Sequence, residues 1–179
     1  MKRSAALLLL LFAMDAHAQL GRKIYAGMGY TSNIVVYDAA TLDSLDFIAG
    51  AGGYRMAYCA PLNKVYSTDG GSQITVVDAV SNAIIDQFQP VFAGTFTSEL
   101  EAITISPDGA TVYAADESSG SIFAISTAND SVVNGAPLPV DEPENLCISP
   151  DGAYLYMADN SEVHKIDAAT LAIVASAFV

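Results

Sequence analysis

Short runs of alternating apolar and polar residues, rich in Val, Ile, Tyr and Thr, recur along the chain between clusters of Gly, Pro, Asp, Asn and Ser. A period of two is the signature of half-buried β-strands, and no stretch sustains the 3.6-residue period of an amphipathic helix. Four kinds of strand recur in fixed order. The first, A, is expected at Arg55–Ala60, Glu101–Ser106 and Glu144–Ser149. B is expected at Lys23–Ala26, Lys64–Ser67, Thr111–Ala114 and Tyr154–Met157. C covers Asn33–Tyr37, Gln73–Val77, Ser121–Ile125 and Glu162–Ile166, and D covers Ser44–Ala49, Ala83–Phe88, Ser131–Leu138 and Ala172–Ala177. An all-β fold follows.

Each B strand carries an aliphatic residue followed by Tyr, at Ile24-Tyr25, Val65-Tyr66, Val112-Tyr113 and Leu155-Tyr156, and the tyrosines are 41, 47 and 43 residues apart. Between A and B, Ser106-Pro107-Asp108-Gly109 returns as Ser149-Pro150-Asp151-Gly152. Pro sets φ for a type I turn there and Gly closes it. After C, Asp38-Ala39-Ala40-Thr41-Leu42 returns letter for letter as Asp167-Ala168-Ala169-Thr170-Leu171, which sets the register of the repeat. Three residues beyond a tyrosine stand Asp69, Asp116 and Asp159, read as carboxylates that cap the B–C turns by accepting backbone N–H groups.

Self-similarity at this period, in four-stranded antiparallel units, implies stacked units that each shield a neighbour's apolar face. The architecture expected is a β-propeller of about four blades of four strands, at residues 23–49, 54–88, 100–138 and 144–177. The first blade lacks its innermost strand. Three accounts stay open: a compact four-blade ring, a truncated product of a longer gene, or two chains that share one larger ring.

Ser-Pro-Asp-Gly, then aliphatic-Tyr-x-x-Asp, then Ile74-Thr75-Val76-Val77-Asp78 with Ser81 soon after, resembles the YVTN β-propeller repeat family over nearly the whole chain after residue 18. The resemblance implies a propeller of a superfamily whose complete rings commonly have seven blades. It includes lactonase-like hydrolases, dehydrogenase subunits and cell-surface proteins. Fold likeness of this kind does not choose among them.

Lys2 and Arg3 precede an apolar run from Ala5 to Met14, and Ala16-His17-Ala18 offers the small-x-small pattern of a signal-peptidase site. Residues 1–18 therefore read as a secretory leader and residues 19–179 as the repeat domain, periplasmic or extracellular. No later apolar run is long enough to span a bilayer. Loss of the leader removes two cations and one anion, and the net charge moves from −13 to −14. So acidic a surface repels phosphate backbones and anionic lipid, which excludes nucleic acid as a partner. Cys59 and Cys147 read as two small buried core thiols on opposite faces rather than a disulfide.

Propeller ligands meet the ring at the channel mouth. The windows Ser98–Ala110 and Asp141–Ala153 match at 8 of 13 positions, pairing Glu99 with Glu142 and Glu101 with Glu144; Arg55 falls on the register of Glu101 and Glu144. These five residues are the candidate ligand site, with Glu101 and Glu144 a candidate for weak divalent-cation binding and no other cofactor expected. The remaining histidine, His164, reads as a surface residue too isolated for a triad or a zinc site. Gly-x-Ser-x-Gly, paired-Cys and phosphate-loop motifs are absent. The reading is an exported binding module for a protein or small polar ligand, able to self-associate to complete its ring. Alternatives are a lactonase-like hydrolase using Glu101, Glu144 and Arg55, or a supporting subunit of a periplasmic redox enzyme.

Overall fold

A computed structural model of the chain describes residues 22–29, 32–140 and 142–178, with the main chain of Leu8–Leu10. Four antiparallel four-stranded sheets follow one another, each in simple sequential order. Sheet I holds β1 (Leu8–Leu10), β2 (Lys23–Gly27), β3 (Asn33–Asp38) and β4 (Ser44–Ala49). Sheet II holds β5 (Met56–Cys59), β6 (Lys64–Thr68), β7 (Ile74–Asp78) and β8 (Ile84–Phe88). A two-stranded ribbon of β9 (Val91–Phe92) and β10 (Thr95–Phe96) precedes sheet III, made of β11 (Leu100–Ile105), β12 (Thr111–Asp116), β13 (Ser121–Ser126) and β14 (Ser131–Pro137). Sheet IV holds β15 (Asn145–Ile148), β16 (Tyr154–Ala158), β17 (Glu162–Asp167) and β18 (Ile173–Phe178). The expected A, B, C and D strands are these elements, displaced at their ends by two residues at most.

Sheet I does not lack its innermost strand: Leu8, Leu9 and Leu10 pair antiparallel with Gly27, Ala26 and Tyr25. The open edge of β2 presents N–H and C=O groups that an apolar extended segment can satisfy. That segment falls within the stretch read as a leader, whose other residues lie outside the described ones.

Three apolar cores join consecutive sheets. Tyr25, Ile34 and Val36 of sheet I pack with Met56, Val65 and Val77 of sheet II. Tyr66, Ile74 and Val76 pack with Leu100, Val112 and Ile125 of sheet III. Tyr113, Ile122 and Ala124 pack with Leu155, Met157 and Ile166 of sheet IV. The aliphatic-Tyr pair thus has a mechanical meaning: adjacent residues of a strand point to opposite faces, so the aliphatic side chain receives the preceding sheet and the tyrosine reaches the next. Burying an aliphatic side chain contributes about 1.5–3 kcal/mol, so cores repeated at each junction account for most of the favourable term.

Hydrogen bonds reinforce each junction. Tyr25 Oη donates to Ala79 O and Asn82 Oδ1, and Lys23 Nζ to Ala79 O and Val80 O. Tyr66 Oη and Lys64 Nζ both donate to the carboxylate of Asp130. Tyr113 Oη donates to Ala168 O at 3.3 Å. Every acceptor lies in the C–D turn of the following sheet. These turns are shaped by a left-handed residue, with φ 61° at Leu42, 61° at Asn82, 52° at Asp130 and 59° at Leu171. Three of them are capped by Asp38, Asp78 and Asp167, each accepting two backbone N–H groups.

Cys59 is buried and its thiol donates to Gly109 O, whereas Cys147 is exposed, contrary to the expected buried pair; nor do the two take opposite faces, since Cys59 shares the face of Tyr66 in sheet II and Cys147 that of Tyr156 in sheet IV. Cys147 pairs with Tyr156 on the outward face of sheet IV, which no described sheet covers.

Candidate functional site

The two glutamate pairs begin where the chain enters the A strands of sheets III and IV. Ser98 N and Glu99 N donate to Asp116 Oδ2 at 2.7 and 2.8 Å, while Asp116 Oδ1 accepts from Ser119 N and Ser119 Oγ. Asp116 is buried, which alone would raise its pKa; the donors from Ser119, Glu99 and Ser98 outweigh that penalty and hold the carboxyl below its ordinary value. One carboxylate thereby ties the B–C turn to the segment that carries Glu99. Glu101 occupies a register shift between Leu100 and Ala102, the kind of β-bulge that re-aims a side chain.

Glu99, Glu117 and Glu142 line one open cavity of about 370 Å³, with Ser118, Ser119, Gly120, Leu138 and Val140. Glu117 was not anticipated from the sequence. Its carboxyl is pushed above its ordinary value by partial burial first, then by the charges of Glu101, Glu142, Glu99 and Glu144. The structure therefore brings the four anticipated glutamates into one field centred on a fifth. The legible signal was its place: Glu117 directly follows the recurring Asp that caps the turn.

Arg55 meets the main chain of Glu101 rather than its carboxylate. Its Nε donates to the main-chain oxygen of Glu101 at 3.0 Å and its guanidinium lies 4.7 Å from the Tyr54 ring centroid. It joins sheet II to β11 through the backbone. Asn160 Nδ2 donates to Glu142 Oε2 at 2.6 Å, and Glu144 N donates to Ala158 O. Among the described residues no three His, Cys, Asp or Glu side chains converge as a metal cage. No described helix is long and apolar enough to cross a membrane.

His164 overturns its sequence reading: it is 2% exposed, not a surface residue. Its Nε2 lies 2.8 Å from Asp159 Oδ2 and its Nδ1 2.8 Å from Ser176 Oγ. The reason is register. Met157 faces His164 as Ser67 faces Thr75 and Ala114 faces Phe123, and Thr75 and Phe123 are buried too. Alignment of the C strands carried that signal.

The architecture places this chain among all-β proteins built of successive four-stranded antiparallel sheets. It is similar in fold to a chain of Kuenenia stuttgartiensis hydrazine synthase, with a TM-score of 0.72 and 23% identity over 88% of this chain and 46% of that one. This chain thus spans about half the length of the solved chain it matches. No protein-family model and no curated protein matches the sequence.

Proposed function

We propose that the chain is an exported β-propeller module of the YVTN type, whose four sheets are blades and whose task is to bind a partner. The observation that carries this is the repeated latch. Tyr25, Tyr66 and Tyr113 each insert between sheets and donate to the next C–D turn. Tyr156, their equivalent in sheet IV, is 37% exposed, with Val163 and Cys147 beside it on an uncovered face. The turn that would complete a latch exists in the chain: Asp38–Leu42 is identical to Asp167–Leu171, which receives Tyr113. Sheet I of a second copy supplies that turn, and two copies joined head to tail close a ring. Analytical ultracentrifugation of the secreted chain tests this: a dimer that Tyr156→Asp converts to monomer supports the reading, and a monomeric unmodified chain ends it.

The acidic rim is the module's second contact. Five glutamates in one field favour a basic peptide or a small cationic ligand, and a weak divalent cation at Glu101 and Glu144 belongs to the same reading. Calorimetric titration with Ca²⁺, compared between the unmodified chain and the Glu101→Gln/Glu144→Gln pair, separates a site from a screened surface.

The likeness to a chain of hydrazine synthase favours a second reading, a supporting subunit of a periplasmic redox enzyme. Co-purification of a cofactor-bearing partner, visible by its absorbance, is the expected result under that reading. Absence of any such partner from native extracts removes it.

A further inference from the structure

Sheet IV holds a constellation that the binding reading does not use. Asp159 Oδ1 accepts from Ser161 N and Glu162 N at 2.8 and 2.7 Å, which fixes the carboxylate within the B–C turn. Its Oδ2 is directed at His164 Nε2, and both side chains are nearly excluded from solvent. A carboxylate only accepts, so in the neutral imidazole the proton sits on Nε2 and Nδ1 is left as the acceptor. Ser176 Oγ lies 2.8 Å from Nδ1, on the exposed outer strand β18. Glu162 Oε2 lies 3.8 Å from Nδ1. Met157 pairs with His164 from β16 and brings no charge. The order is therefore carboxylate, base, hydroxyl, from the protected side to the wet one.

The ladder supplies one more element. Asp159 N bonds Glu162 O and Ala168 N bonds Ala153 O, so the even-numbered residues of β17 bond toward β16. Asp167 N bonds Ala172 O, so the odd-numbered ones bond toward β18. His164 and Ser176 are consequently a non-hydrogen-bonded pair, the kind whose side chains approach most closely. By the same alternation Ser176 N–H points away from the sheet, off the edge of β18, beside its own hydroxyl. Phe178, two residues along the same face and 86% exposed, offers an apolar surface next to it. The equivalent pair in sheet II is Thr75 with Gln87, hydrogen-bonded but without a base.

We propose that Ser176, His164 and Asp159 form an acyl-transfer site for small, unhindered esters. Ser176 Oγ attacks the ester carbonyl carbon and its proton passes to His164 Nδ1. The oxyanion of the tetrahedral intermediate faces Ser176 N–H. Collapse breaks the bond to the alkoxy oxygen, which leaves as the alcohol with the proton from Nδ1. Water then gives a proton to Nδ1 and attacks the acyl-Ser176 carbonyl, releasing the carboxylic acid and restoring the hydroxyl. Asp159 is a positioning residue: it holds the tautomer and steadies the imidazolium. The open edge predicts weak substrate binding and a preference for short acyl chains that lie against Phe178.

The test uses the full chain with 4-nitrophenyl acetate at pH 8, together with a fluorophosphonate probe and peptide mapping of its adduct. Multiple turnovers at least ~10-fold faster than those of Ser176→Ala, with the adduct on Ser176, are expected. Asp159→Asn then lowers kcat with KM nearly unchanged and shifts the limb of the pH profile set by His164. A single-turnover burst equal in both proteins, or an adduct elsewhere, overturns the proposal. Ser176 lies on an exposed edge, so Ser176→Ala keeps the fold. Thermal unfolding of that variant checks this, and probe mapping on the unmodified chain decides the matter independently.

Discussion

Tyr66 and Asp130, 64 residues apart, meet across the junction between sheets II and III, with Tyr66 Oη 2.5 Å from Asp130 Oδ1 and Lys64 Nζ 2.6 Å from Oδ2. Tyr66 is buried, and its phenol is held far above its ordinary pKa by burial first and by the Asp130 carboxylate second. Asp130→Ala leaves the Tyr66 hydroxyl without its acceptor in a poorly hydrated place and Lys64 Nζ with Thr127 O alone. A loss of about 2–3 kcal/mol is expected in urea unfolding at neutral pH. Tyr66→Phe, which leaves the Lys64–Asp130 ion pair intact, is expected to cost less, about 1 kcal/mol.

Asp116 is the equivalent tie between the B–C turn of sheet III and the segment leading to Glu101. Its folded carboxyl lies below the ordinary value of 3.8 because backbone and Ser119 donors overcome burial. Its contribution is therefore complete above the unfolded pKa and disappears as pH falls through the lower folded one. Asp116→Asn is expected to lose about 1–3 kcal/mol at pH 7, with the unmodified and variant unfolding curves converging in acid below pH 3.8. A gap that persists at the lowest pH would assign the effect to shape rather than charge.

Glu117 behaves in the opposite sense. Its pKa is raised, so the protonated form is favoured by folding and the charged form is resisted. Stability tied to this group is present below the unfolded value and declines as pH rises through the folded one. Glu117→Gln is expected to raise Tm by about 1–3 °C at pH 7, with the gain shrinking at pH 4 and in high salt. Differential scanning calorimetry across that pH range reads all three effects.

Gly27 ends β2 against the loop that leads into sheet II. A Cβ there would sit 1.9 Å from Gly53 O, with Gly53 C at 2.6 Å, and backbone cannot swing aside as a flexible side chain can. Gly27→Ala is expected to destabilise by about 2–3 kcal/mol, measured by chemical denaturation. Gly50→Ala is the comparison: nothing approaches its Cβ position, so only the strain of its φ of 72° applies.

Sheet order and turn chemistry were legible because each depends on short-range physics. Ser-Pro-Asp-Gly makes its turn wherever it lies, with Gly109 at φ 72° and Gly152 at 73°. The same holds for Asp69, whose Oδ1 accepts from Gly71 N and Gln73 N. That Glu99 and Glu142 line one cavity was foreshadowed by two repeats that place them at matching positions. His164 was misread for the opposite reason. A polar side chain in a strand reads as solvent-facing until the register shows which face the neighbouring sheet covers.

Composition and periodicity by themselves determined an all-β chain of four similar units and the residues that punctuate them, because alternation and turn propensity are properties of adjacent residues. Only the tertiary structure decided that β1 completes sheet I, that Glu117 sits in the field of four other glutamates, and that Asp159, His164 and Ser176 stand in line. Each of these is a coincidence of distance between separated segments. Such distances are set by which faces bury one another, a quantity that no local pattern contains.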